Sequence, residues 1–178
     1  MQSKDNLVWL DLEMTGLDVE KCKIIEIAAI ITDKDLNIVA EAEPIAIYQP
    51  DEVLDAMDEW CTSTHAKTGL TQRVKDSGVT IANAEASIMA FIEQYVPYQS
   101  SPLCGNSIWQ DRRFLGKYMP KIDDYCHYRV LDVTSIKLLN EYWGNNESFH
   151  KKNTHKALDD IQESIAELKF YKDKIFNI

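Results

Sequence analysis

The sequence predicts an α/β domain of three layers around a mixed central sheet, and three observations predict it. The first segments are short, rich in β-branched residues and joined by a tight turn, which makes an antiparallel meander. Later strands alternate with segments of helical periodicity, a pattern that calls for parallel pairing. The chain of 178 residues is long enough to bury a substantial core, and no repeat, low-complexity tract or linker divides it, so residues 1–178 are expected to form one domain.

The pattern starts at Leu7-Val8-Trp9-Leu10-Asp11-Leu12-Glu13, where five of seven residues are large and apolar and Thr15-Gly16 follows. Such a run reads as a strand buried on both faces. Because side chains alternate along a strand, Asp11 and Glu13 point to the same side at its C-terminal end. Two like charges in an apolar setting call for a proton or a cation between them, and hard oxygen donors suit Mg²⁺ or Mn²⁺. The triplet also ends many strands with both acids solvated, so the rest of the chain has to supply further ligands.

Residues 23–32 form the second expected strand, Asp33 to Asn37 the turn and Ile38 to Ala42 the third strand. Glu26, within the second strand, is expected to be structural. Residues 51–60 follow Pro50 and carry Val53, Leu54 and Met57 at helical spacing. A polar break at Thr62-Ser63-Thr64 is then expected, bordered by Trp60 and His65, an aromatic ring and an imidazole of the kind that meet a nucleobase and that more often serve as packing. Thr80 caps a longer helix with one apolar stripe through Ile81, Ala84, Ile88, Phe91, Ile92 and Tyr95.

Pro102 to Asn106 is a short buried strand, and the helix after it places Asp111 on the same face as Phe114, Leu115 and Tyr118. An inward aspartate needs a partner, either Arg112 or Arg113 or a metal. Tyr128 to Val133 is another strand, followed by Thr134 and a helix through Ile136, Leu138, Leu139 and Tyr142 that ends at Gly144-Asn145-Asn146. Ser148 to Asn153 reads as a polar, basic loop, and the last helix is expected from near Thr154. On that helix Asp160 lies roughly 80° beyond one edge of the stripe Leu158, Ile161, Ile165 and Leu168, and Asp159 roughly 100° beyond the other, so periodicity does not choose between them. His155 stands at its start.

The net charge of −10 argues against a surface that tracks a long nucleic acid, which would be basic. The charge is uneven: residues 1–106 hold 7 basic and 18 acidic side chains, residues 107–178 hold 12 and 11. Contacts to a phosphate-bearing ligand are therefore expected mainly from the second part, and the ligand is expected to be small. No apolar run is long enough for a membrane helix, Met1 to Asp5 lacks a signal-peptide core, and the four cysteines are widely spaced, which together predict a cytoplasmic protein with reduced thiols.

Three or four acids on or beside apolar elements, with a histidine at the start of the last helix, point to a site for two metal ions. Asp11-x-Glu13, Gly105-Asn106-Ser107-Ile108-Trp109-Gln110-Asp111 and His155-x-x-x-x-Asp160 resemble the three motifs of the DEDDh 3′-to-5′ exonucleases. Further stretches, Leu10 to Leu17, Trp60, His65, Gln110 to Leu115, Tyr118 to Pro120, His127 to Arg129 and Leu131 to Val133, resemble the branch of that family that degrades very short RNA. The likeness covers nearly the whole chain and selects Asp160 over Asp159. It implies a ribonuclease H-like fold, a homodimer, and two Mg²⁺ or Mn²⁺ ions held by Asp11, Glu13, Asp111 and Asp160. It also implies that His155 is the general base toward the attacking water, a role suited to a group that titrates near neutrality. Leu17 would wedge between two bases and Trp60 stack on one, with His65 nearby. Ser107, Arg129 and Thr134 would surround a 5′ phosphate, with Tyr128 reaching in from the other subunit. Related members often have Ser where Thr134 stands. A pocket closed at the 5′ end leaves no exit for a longer strand.

Overall fold

The antiparallel half of the sheet is built on a strand with no exposed residue. In the computed structural model, which describes residues 1–144, 147–151 and 155–175, β2 (Ile24–Thr32) is buried along its whole length. It pairs antiparallel with β1 (Leu7–Met14), with β3 (Ile38–Glu41) and with the two-residue β4 (Ile45–Ala46). On the far side of β1, β5 (Pro102–Gly105) and then β6 (His127–Asp132) continue the sheet in parallel. The order is β3-β2-β1-β5-β6, so the expected mixed sheet is observed. The turn between β2 and β3 is built as the sequence indicates. Asp33 Oδ1 accepts from the backbone N–H of Asp35 and of Asn37, both at 2.9 Å.

Alternation along β1 assigns its side chains to two layers. Val8, Leu10 and Leu12 pack with α4 (Ile81–Tyr95), α5 (Ile108–Tyr118) and α6 (Pro120–Tyr125) through Ala84, Ile88, Phe114, Leu115 and Ile122. Trp9 faces the opposite layer, where it packs with Ala28 and Ile30 against Ala157, Ile161 and Ile165 of α8 (Ala157–Ile175). Its indole N–H donates to Thr32 Oγ1 at 3.0 Å, which satisfies two buried polar groups at once. Since Asp11 and Glu13 share the parity of Trp9, the strand delivers both acids to the side covered by α8. The helix α7 (Val133–Trp143) follows β6 directly, with Asp132 as its N-cap, accepting from Thr134 N at 3.0 Å.

The region between residues 51 and 76 departs from the expected pattern. In place of one helix over 51–60 and a polar break at 62–64 there are three short helices, α1 (Asp51–Asp55), α2 (Glu59–Lys67) and α3 (Leu70–Asp76). The break falls at 56–58, where Asp58 caps α2 by accepting from Cys61 N at 2.7 Å. Thr62, Ser63 and Thr64 lie within α2, away from its buried positions Cys61 and His65 at i and i+4, so a one-sided helix has the composition of a loop. Thr80 caps α4 as expected, accepting from Asn83 N at 3.2 Å. The last helix begins at Ala157 rather than near Thr154; Thr154, together with Asn145, Asn146, Lys152 and Asn153, lies outside the described residues. Glu26 is structural, as expected: it is 2 % exposed and forms an ion pair with the Arg73 guanidinium from α3.

Candidate active site

Three layers converge at the end of β1. Asp11 and Glu13 from the strand and Asp160 from the first turn of α8 bring carboxylate oxygens within 4.8 Å of one another. From the opposite layer α5 contributes Asp111, which is buried and whose Oδ1 accepts from the backbone N–H of Leu12 at 3.0 Å. Neither neighbouring arginine neutralises it. Arg112 turns to Asp123 at 2.9 Å and to the His127 carbonyl, and Arg113 donates to Gln110 Oε1 at 3.0 Å. On α8 the choice that periodicity left open is settled by packing: Asp160 joins the cluster, whereas Asp159 borders a separate recess with Glu26 and Arg73.

This arrangement is electrostatically unfavourable without a cation. Burial, then the charges of Asp111, Glu13 and Asp160, hold the Asp11 carboxyl well above its ordinary range. Burial, then Asp160, Glu26 and Asp111, raise Glu13 from its ordinary 4.5 to about 8. Asp111 and Asp160 are raised as well, each chiefly by burial, and for Asp160 the nearby His155 and Lys151 oppose the rise. A cluster of hard oxygen donors whose charges repel one another is the donor set a divalent cation requires, so the residues present fit such an ion.

Beside the cluster lie two recesses separated by Trp60. One, of about 500 Å³, is walled by Glu13, Gly16, Leu17, Trp60, Cys61 and His65. The other, of about 910 Å³, includes Trp60, Ser63, Thr64, Lys67, His155 and Lys156. Leu17 and Trp60 are 70 % and 60 % exposed, so each presents an open apolar surface at the rim. His155 is exposed, takes φ 53°, a left-handed conformation, and meets the Trp60 ring edge-on at 5.6 Å between centroids. Of the two roles the sequence left open for His65, base contact and packing, the structure shows packing: it is 1 % exposed. Its Nε2 lies 3.0 Å from the Met14 carbonyl and its Nδ1 3.9 Å from Glu13 Oε2. Burial lowers its pKa, which favours the neutral ring, so it supports the end of β1 as a wall of the recess.

The remaining candidates sit at the N-cap of α5, on β6 and at the start of α7. Ser107, with φ 49°, directs its N–H to Asp132 Oδ1 and Thr134 Oγ1, both at 2.9 Å, and its hydroxyl lies 3.2 Å from that of Thr134. Tyr128 is 72 % exposed on the outermost strand, and the Arg129 guanidinium lies over its ring at 5.4 Å. The structure thus joins Ser107 to Thr134 and Tyr128 to Arg129. Four residues that sequence reasoning passed over complete the surroundings. Gln110 donates to the Leu17 carbonyl at 2.7 Å, Asp132 holds the Ser107 turn, Asn106 accepts from the Thr134 hydroxyl at 3.1 Å, and Lys151 bears on Asp11 and Asp160. Only Asp132 carried a local signal, as an N-cap two residues before Thr134.

A mixed sheet with a carboxylate cluster at the end of its first strand and a base-sized recess beside it defines a nuclease of ribonuclease H-like fold. The sequence profile described as Exonuclease matches residues 8–168. Oligoribonucleases of Francisella tularensis subsp. tularensis (strain WY96-3418) and Pseudomonas paraeruginosa (strain DSM 24068 / PA7) are 76 % identical over 178 residues and 57 % identical over 180 residues; each match covers both chains completely. Among solved structures, the zinc-bound E. coli ExoI–ssDNA complex superposes with a TM-score of 0.76 at 18 % identity, covering 99 % of this chain and 42 % of that one, a likeness of fold. The chain belongs to the oligoribonuclease family of exonucleases, and it is an enzyme of nuclease class.

The raised carboxyls fix the sign of a pH effect. A folded-state pKa above the unfolded value means that the folded chain holds protons the unfolded chain has released, so stability is present at acid pH and is lost as pH rises, for Glu13 between about 4.5 and about 8. Denaturant unfolding in chelator should therefore show stability falling by a few kcal/mol from about pH 5 to about pH 8. Asp11→Asn should flatten that fall and raise stability at the alkaline end. A profile that rises with pH in chelator would contradict the reading of the cluster.

Proposed function

We propose that the chain is a single-domain 3′-to-5′ exoribonuclease that hydrolyses very short oligoribonucleotides, from dinucleotides to a few nucleotides, to 5′-mononucleotides. The observation that carries this reading is the half-buried carboxylate cluster opening onto a recess flanked by Leu17 and Trp60, in a chain matched end to end by oligoribonucleases. Asp11, Glu13, Asp111 and Asp160 would hold two Mg²⁺ or Mn²⁺ ions. Bound there, such ions supply Lewis-acid stabilisation of the charge that builds on the phosphate and raise the acidity of water.

The other steps belong to side chains of this protein. His155 takes the proton of the attacking water, from a position beside Trp60 and near Asp160, in the neighbouring recess. Trp60 stacks on a base, and Leu17 separates it from its neighbour. The backbone of the loop carrying Leu17 is held from α5: Gln110 grips the Leu17 carbonyl, while Lys117 and Tyr118 donate to the Val19 carbonyl at 3.0 and 3.1 Å. Since Asp111 is on the same helix, the wedge and the acidic cluster are kept at a fixed separation, which suits cleavage one nucleotide from an end. His65 supports the recess from behind. Ser107, Arg129 and Thr134 would receive the 5′ phosphate.

A homodimer is part of the proposal. Among the described residues the outer strand β6 has one edge unpaired in the sheet; it exposes Tyr128 and Val130, and α7 exposes Leu138, Leu139, Tyr142 and Trp143. Such an apolar edge and helix face suit a second copy, and Tyr128 would then reach the partner's 5′ pocket. Unpaired thiols at all four cysteines fit a cytoplasmic location, and among the described residues no helix is long and apolar enough to cross a membrane. Trimming of longer single strands is the competing reading, because structural neighbours bind 13-nucleotide DNA. Those neighbours are more than twice this chain's length, and the net charge of −10 disfavours a long polyanion.

Hydrolysis of 5′-labelled RNA of two, four, eight and twenty nucleotides should be fastest for the dinucleotide and should stop in chelator. His155→Ala should lower the rate about 10²- to 10⁴-fold with the fold retained. Equal or faster cleavage of the longest strand would remove the short-substrate reading. Sedimentation at micromolar concentration should give twice the chain mass, and a monomer would refute the shared pocket.

A further inference from the structure

Glu167 is 2 % exposed and lies about two turns beyond Asp160 on α8, outside the acidic cluster. Lys151 pairs with it at 2.9 Å, and its Oε2 accepts from Asn106 Nδ2 at 3.1 Å. The same amide nitrogen donates to Ser164 Oγ at 2.7 Å, and Ser164 spends its own proton on the Asp160 carbonyl at 2.7 Å. Both amide protons of Asn106 are therefore committed, one to an acceptor that cannot donate and one to a hydroxyl whose proton is already used. The amide has one orientation. Its Oδ1 faces Thr134 and accepts the Thr134 hydroxyl proton at 3.1 Å.

This fixes what Thr134 can offer. With its only proton directed inward, Thr134 Oγ1 acts toward Ser107 as an acceptor, taking the Ser107 N–H at 2.9 Å. The Ser107 hydroxyl, 3.2 Å from Thr134 Oγ1, keeps a proton that can turn either to Thr134 or outward to a ligand. We propose that Asn106, locked by Glu167 and Ser164, is a positioning residue that points the Thr134 proton inward and leaves the Ser107 hydroxyl as the donor to a 5′-terminal phosphate. Thr134 then shapes the pocket and orients Ser107 without donating to the phosphate itself. The inference rests on the 5′-phosphate reading of Ser107 given above, and it assigns separate tasks to two hydroxyls that look interchangeable in the sequence.

The test compares binding of diadenylate with and without a 5′ phosphate, in Ca²⁺, by calorimetry. The unmodified protein should prefer the phosphorylated form by about tenfold or more, the worth of one hydrogen bond to a charged group. Asn106→Ala and Glu167→Met should each lose most of that preference, and in Asn106→Ala affinity for the 5′-hydroxyl form stays within about twofold. Glu167→Gln retains an acceptor for Asn106 and should keep most of it, a rescue that general loosening of the pocket would not give. Preference undiminished in Asn106→Ala would mean that Thr134, released from Asn106, donates directly, and would overturn the proposal even if Glu167→Met fails to fold. Equal affinities in the unmodified protein would instead refute the 5′-phosphate pocket itself, and the proposal with it.

Discussion

The rest of the structure depends on a repulsion. Alternation along β1 sends Asp11 and Glu13 to one face of the sheet, and the antiparallel register sets Glu26 directly opposite Glu13, on the same face. Asp160 then descends from α8 and Asp111 approaches from the other layer. No hydrophobic gain explains bringing these carboxyls together, because each loses hydration and gains like-charged neighbours. The surrounding elements are arranged so that the fold holds the cluster without neutralising it.

Two devices do the holding. Behind Glu13, the Arg73–Glu26 pair confines a positive charge between α3 and β2 that offsets part of the repulsion Glu26 adds, while His65 braces the Met14 carbonyl. On the other side, α5 is fixed to the core by Phe114 and Leu115 and reaches three targets from one rigid body: the Leu12 amide through Asp111, the Leu17 carbonyl through Gln110 and the Val19 carbonyl through Lys117 and Tyr118. The cations nearest the cluster are bound to other partners. Arg112 is committed to Asp123 and Arg113 to Gln110, while Lys151 pairs with Glu167 and only partly offsets the charges of Asp11 and Asp160. The remaining unfavourable energy is available to an incoming divalent ion as affinity.

Much of this was legible in the sequence because strands carry a strict period of two. The pairing of Asp11 with Glu13, the inward turn of Asp111 and the mixed sheet followed from spacing alone. Where periodicity was ambiguous it left the choice open: Asp159 and Asp160 straddle the stripe of α8, the family likeness selected Asp160 by its spacing from His155, and the seating of that helix on Trp9 and Ile30 turns Asp160 to the cluster. The segment around Trp60 was misread because α2 buries just Cys61 and His65, too few residues to stand out from a polar loop. For His65 the sequence left base contact and packing both open, and its burial behind the recess shows the packing role. The roles of Gln110, Asn106 and Glu167 were not legible at all, since each works through a partner distant in the chain and leaves no local pattern.

The most direct measurement of the central claim is calorimetric titration of the chelator-treated protein with Mn²⁺ at neutral pH, repeated in two buffers of different ionisation enthalpy. Carboxyls held as high as Glu13, at about 8, must give up protons when a cation takes their place. The account predicts two ions bound per chain with net release of protons to the buffer, and loss of at least one ion in Asp160→Ala. Binding without proton release, or no saturable binding at millimolar Mn²⁺, would contradict it.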